Sequence, residues 1–182
     1  MPYRDRAGMA GRQWEKIRPD LDRGAMVLVG RLAEAAELIA AHHSAPFMAQ
    51  YGLKTGEFDA LATLRRAGPP FALTPTQLYE ATMLSSGAMT NRIDRLEKLG
   101  LVARQPNPDD RRGTFVTLTD KGKTLIDSMI EAHVANKERI VSTLDATEQA
   151  ELSRLLAKLI VAVDPASPDF IGGPEGGKKG KK

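Results

Sequence analysis

Residues 73–122, LTPTQLYEATMLSSGAMTNRIDRLEKLGLVARQPNPDDRRGTFVTLTDKG, decide the fold. Thr74-Pro75-Thr76-Gln77 is a capping box with proline at the first helical position, so a short helix starts there. Residues 85–99 carry a second helical pattern, with Met89, Ile93 and Leu96 on one side and Gly100 as the stop. Residues 101–105 and 114–118 read as strands, the second alternating Phe115 and Thr117 against Val116 and Leu118. The connection between them, 106–113, is longer than the about 2–5 residues of a routine hairpin loop, and such connections are usually functional. Two helices followed by a hairpin with a charged tip is the layout of a winged helix-turn-helix.

The chemistry of the second helix follows from its faces. At about 100° per residue, Asn91, Asp94 and Lys98 lie opposite Met89, flanked by Thr90 and Arg95. A face of Thr, Asn and Arg presents donors and acceptors that suit base edges and phosphates. Ser85 and Ser86 stand at the positive end of the helix dipole, where free N–H groups suit a phosphate, and Thr76 opens the preceding helix. At the hairpin tip Arg111 and Arg112 adjoin Asp109 and Asp110. A guanidinium held by a carboxylate such as Asp110 loses less entropy on entering a narrow, electronegative minor groove. A solvated helix face and a self-paired surface turn are the plainer readings of each feature alone. Together they point to double-stranded DNA.

Charge placement agrees. Between Ser85 and Lys123 eight basic residues oppose five acidic ones, a net +3 that equals the net charge of all 182 residues. Positive charge gathered on one unit is the footprint expected of phosphate binding. GGKKGKK at the end of the sequence adds a second basic cluster. No apolar run reaches the 18 residues of a membrane helix, and MPYRDRAGMAGRQWEK has no signal core, so a cytoplasmic protein is expected. The absence of cysteine removes thiol redox sensing and thiolate metal sites. His42, His43 and His133 are scattered, with no nucleophile–base pattern, metal cluster or phosphate loop. An enzyme is not expected, nor a cofactor.

The flanks are helical. A short helix is expected over 12–18, ending before Pro19. A longer one over 24–43 has Leu28, Leu32, Ala35, Ala36 and Ile39 on one face. A third over 55–67 has Phe58, Leu61, Ala62 and Arg65 on one stripe and stops at Gly68-Pro69-Pro70. After the hairpin a long helix runs from 119 to about 144, and Asp145 with Glu148 caps a last one to 163. Residues 1–11 and 164–182 are expected to be disordered. The fold class is mainly α, with one small β-hairpin wing.

The stretch NPDDRRGTFVTLTDKG, with long helices on both sides, resembles the MarR family of transcriptional regulators over about residues 24–162. The resemblance implies a homodimer, with dimerisation helices at 21–54 and 119–163 flanking a DNA-binding lobe at 55–118. It implies a pseudo-palindromic operator and recognition helices about one DNA turn apart. QWEKIRPDLD, EFDALATLRR and LYEATMLSSGAMTNRIDRLEKLGLV resemble the urate-responsive branch of the family, the PecS/HucR type. That branch carries an extra N-terminal helix, here 12–20. Its ligand residues match Trp14, Asp59, Arg66, Arg92 and Arg104, implying a small effector such as urate or a related purine or aromatic anion.

The residues themselves allow that reading. Asp59 and Arg66 share one helical stripe, about 10 Å apart. Arg92 lies roughly 60° from Met89, at the margin of the buried side, where an arginine needs a partner or an anion. An ion-pair network pinning the lobe to the long helices fits the same positions. Function is then either a repressor released by an anionic ligand or a ligand-independent architectural, nucleoid-type DNA-binding protein.

Overall fold

The structure, a computed structural model, describes residues 5–82, 86–107, 110–164 and 166. The capping box forms as its spacing dictates. Gln77 donates its N–H to Thr74 Oγ1 at 3.2 Å, and Thr74 donates its own to Gln77 Oε1 at 2.9 Å. The helix it starts, α5 (Pro75–Glu80), is the fifth of eight among the described residues. Before it come α1 (Arg6–Ile17), α2 (Gly24–Ile39), α3 (Ala45–Gln50) and α4 (Glu57–Arg66). After it come α6 (Ser86–Lys98), α7 (Asp120–Val141) and α8 (Ala146–Val163). A π-helical segment, Ala40–Ser44, joins α2 to α3.

Three strands form an antiparallel sheet in the order β1-β3-β2: β1 (Ala72–Leu73), β2 (Val102–Asn107) and β3 (Asp110–Leu118). The hairpin is longer than its sequence suggests. Strand pairing continues to Asn107 opposite Asp110, with a register irregularity after Pro106. Most of the expected loop at 106–113 is therefore strand, since a two-stranded ribbon needs only backbone partners and tolerates charged side chains. β1 pairs with β3 through Ala72 opposite Thr117 and is too short to show periodicity.

The chain divides into two compact units, Met1–Asn136 and Lys137–Lys182. In the first, Met89, Ile93 and Leu96 of α6 join Leu61 and Leu64 of α4, Leu78 of α5, Val116 of β3 and Ile126 and Met129 of α7 in one core. Each of these is at most 3% exposed. Burying such a side chain stabilises by about 1.5–3 kcal/mol, so this core sets the pose of α6 and the hairpin together.

The N-terminal helix starts at Arg6, earlier than the expected 12. Asp5 caps it, accepting the Gly8 N–H at 2.5 Å, so the segment 6–11 expected to be disordered is helical. Its glycines are contacts rather than breaks. A Cβ on Gly11 would lie 2.5 Å from Val27 Cγ2, so only glycine lets α1 approach α2 this closely. Ion pairs Arg6–Glu34 and Arg31–Asp5, both 3.1 Å, and Arg23–Glu15 at 3.0 Å flank the seam.

In the second unit Asp145 and Glu148 form a reciprocal cap, and Gln149 Nε2 donates to the Leu144 carbonyl at 2.9 Å. No residue of α8 is buried within the chain, and Leu152, Leu155 and Leu159 stand exposed on it. Among the described residues no helix is long and apolar enough to cross a membrane.

Candidate nucleic-acid interface

α6 turns the faces its sequence dictates. Met89, Ile93 and Leu96 go inward, while Thr90, Asn91 and Lys98 are exposed. Thr76, at the start of α5, is exposed as well. Ser86 opens α6, and Ser85 lies outside the described residues. Asp110, Arg111 and Arg112 open β3, placing the arginine pair on the hairpin's strand rather than on a loop.

Arg95 departs from expectation. Its Nη1 is ion-paired with Glu57, the first residue of α4, and its Nη2 donates to the Gly52 carbonyl at 3.1 Å. Glu57 is 2% exposed and also accepts the Lys54 N–H at 2.7 Å. The guanidinium therefore points into the lobe, because a buried carboxylate unpaired from its cation is strongly destabilising. Sequence reasoning missed Glu57. Its partner lies far along the chain, and a glutamate at a helix start reads as an ordinary dipole partner.

The five residues matched to an effector site lie on four elements: Trp14 on α1, Asp59 and Arg66 on α4, Arg92 on α6 and Arg104 on β2. Trp14 is exposed on α1, and Asp59 and Arg66 are exposed on α4, with Arg66 Nη2 donating to Thr63 Oγ1 at 2.8 Å. Arg104 is held by two carboxylates of α6, Asp94 at 2.5 Å and Glu97, so it is a strap between β2 and α6. Hydrogen bonding to Asp94 is the first cause raising its pKa. Among the described residues, no hydrogen bond or ion pair joins any two of the five.

Arg92 is different. Its guanidinium lies against Gly56, a left-handed residue at φ +85° just before α4, where a Cβ would be 2.6 Å from Arg92 Nε. Arg92 Nη1 is buried with no hydrogen-bond partner. A buried guanidinium N–H without an acceptor is energetically costly.

A polar helix face and a basic hairpin mounted on one core define a winged helix-turn-helix regulator that binds DNA. Residues 51–113 match the MarR family. The HTH-type transcriptional regulator PecS of Dickeya dadantii is 40% identical over 147 residues, 81% of this chain and 88% of its own length. A mutant MarR of Escherichia coli complexed with operator DNA superposes with a TM-score of 0.65 at 26% identity, over 81% of this chain and 97% of that one. Bordetella bronchiseptica BpsR, whose DNA binding is regulated by 6-hydroxynicotinic acid, gives 0.64 at 26% identity, over 70% and 89%. The chain belongs to the MarR family of transcriptional regulators and is not an enzyme.

Proposed function

We propose that this regulator is a cytoplasmic repressor that acts as a homodimer on a pseudo-palindromic operator and is released by a small planar anion such as urate. Thr90, Asn91 and Lys98 on α6 read the major groove, Thr76, Ser85 and Ser86 meet phosphate, and Arg111 and Arg112, supported by Asp110, reach the minor groove. The exposed row Leu152, Leu155 and Leu159 on α8 supplies apolar surface for a second copy, and Leu28 and Val29 on α2 are separately exposed.

The observation that carries the effector reading is Arg92, whose buried Nη1 has no acceptor although the residue sits on the same helix as the reading face. An anionic edge of urate completes it, and Asp59 and Arg66, exposed on α4, remain open to the rest of the ligand. Trp14 remains part of the proposed site as a stacking face, while Arg104 enters only by giving up Asp94 and Glu97. BpsR, responding to a small aromatic acid, offers a parallel in a structurally similar protein. A ligand that binds the free form more tightly must weaken operator binding by the same coupling factor. Titrating urate into the protein–operator complex tests this. Release is expected, and operator affinity unchanged at saturating urate rules the effector out.

A further inference from the structure

Among the described residues Glu57 is the only charged side chain buried in the lobe, at 2% exposure. Such a carboxylate is tolerated only when charge and hydrogen bonds compensate it, and here the Lys54 N–H and Arg95 Nη1 do so. Arg95 Nη2 extends the contact to the Gly52 carbonyl, so one side chain of α6 grips both ends of the Gly52–Glu57 turn. The apolar contacts of Met89, Ile93 and Leu96 hold α6 against the core but are non-directional. A charge-assisted guanidinium–carboxylate pair is directional.

We infer that Glu57, acting through Arg95, is a positioning residue for sequence reading: it fixes the rotation of α6 about its own axis and so the direction in which Thr90 and Asn91 face. This rests on α6 being the reading helix. Glu57 cannot itself touch DNA, being closed off by the core. Arg95 cannot reach a base without abandoning a buried carboxylate. The two roles open to Arg95 predict different specificity patterns. Loss of a base contact relaxes preference at one base pair. Loss of helix orientation degrades preference at every base pair of the half-site.

The test begins by selecting an operator from a randomised duplex library with the wild-type protein. Affinities are then measured for each single base-pair change in one half-site, and for an unrelated duplex, with wild type, Glu57→Gln and Arg95→Lys. Both variants are expected to lose about tenfold in operator affinity, equivalent to about 1.4 kcal/mol. They should flatten preference across the half-site and bind the unrelated duplex as wild type does. Combining them should add little, because they break one contact. The inference is overturned if Arg95→Lys relaxes a single base pair while Glu57→Gln keeps the wild-type profile, or if affinity for operator and unrelated duplex falls equally. Should a single variant fail to fold, Glu57→Met with Arg95→Met removes both charges together, and a wild-type profile from that pair overturns the inference as well. A wild-type protein without any sequence preference would instead remove α6 as the reading helix, and this inference with it.

Discussion

Arg104 on β2 and Asp94 on α6 are ion-paired at 2.5 Å, and Glu97, one turn further along α6, takes the other arm of the same guanidinium. The Arg104 N–H also donates to Glu97 Oε1 at 3.2 Å, so backbone and side chain both tie the hairpin to the helix. One exposed ion pair contributes about 0–1 kcal/mol, but a forked guanidinium on two carboxylates adds geometry to energy. The hairpin therefore follows α6 wherever α6 points.

Arg104→Ala should uncouple the two. In a double-mutant cycle with Arg112→Ala, operator binding should show a coupling energy of about 0.5–3 kcal/mol, because a loosened hairpin no longer presents Arg112 to the groove. Strict additivity would mean that the strap plays no part in presenting the wing.

Asn91→Ala and Arg112→Ala should differ in kind. Asn91 is exposed on the reading face, so its removal should cost about 1–3 kcal/mol at one base pair and little elsewhere. Arg112→Ala should weaken binding to most sequences alike. Competition binding against single-base operator variants distinguishes the two patterns.

Gly56→Ala meets two obstacles. Its φ of +85° is left-handed, costing about 1–2 kcal/mol for an L residue, and the new methyl would press on Arg92 at 2.6 Å. A lower melting temperature is expected, together with a weakened urate response as Arg92 is displaced. A melting curve identical to wild type would contradict this packing.

Acid should loosen the N-terminal helix. The hydrogen bond from Arg31 holds the Asp5 carboxyl below its ordinary 3.8, and the Arg6 backbone N–H holds that of Glu34 below 4.5. Because both are depressed in the folded protein, the stabilisation is complete above those ordinary values and fades as pH falls through the lowered ones. Fluorescence of Trp14, on α1 and the sole tryptophan, should be flat near neutrality and change only below about pH 4.5. Asp5→Asn with Glu34→Gln should move the neutral-pH spectrum towards the acid one and flatten the remaining pH dependence.

What the sequence made legible was local. Thr74 with Gln77, and Asp145 with Glu148, are reciprocal caps whose partners lie three residues apart. The inward and outward sides of α6 follow from helical spacing alone. What escaped was non-local. Residues 6–11 read as part of a disordered arm until Val27 is seen against Gly11, and nothing near Arg95 announces Glu57. Arg104 matched an effector position by resemblance, yet the acids that occupy it lie on a different element. Where a charge goes depends on which elements meet.

Internal engagement of the cations has a consequence for how this regulator meets a polyelectrolyte. Of the basic residues between Ser85 and Lys123, Arg95 and Arg104 are ion-paired, Lys121 Nζ donates to the Leu99 carbonyl at 2.8 Å, and Lys123 lies 5.3 Å from the centre of the Phe71 ring. Each neutralised phosphate contributes about 0.9 to the slope of log affinity against log salt. The ionic-strength dependence should thus be shallower than the tally of arginines and lysines suggests, with fewer counterions expelled into bulk water on binding.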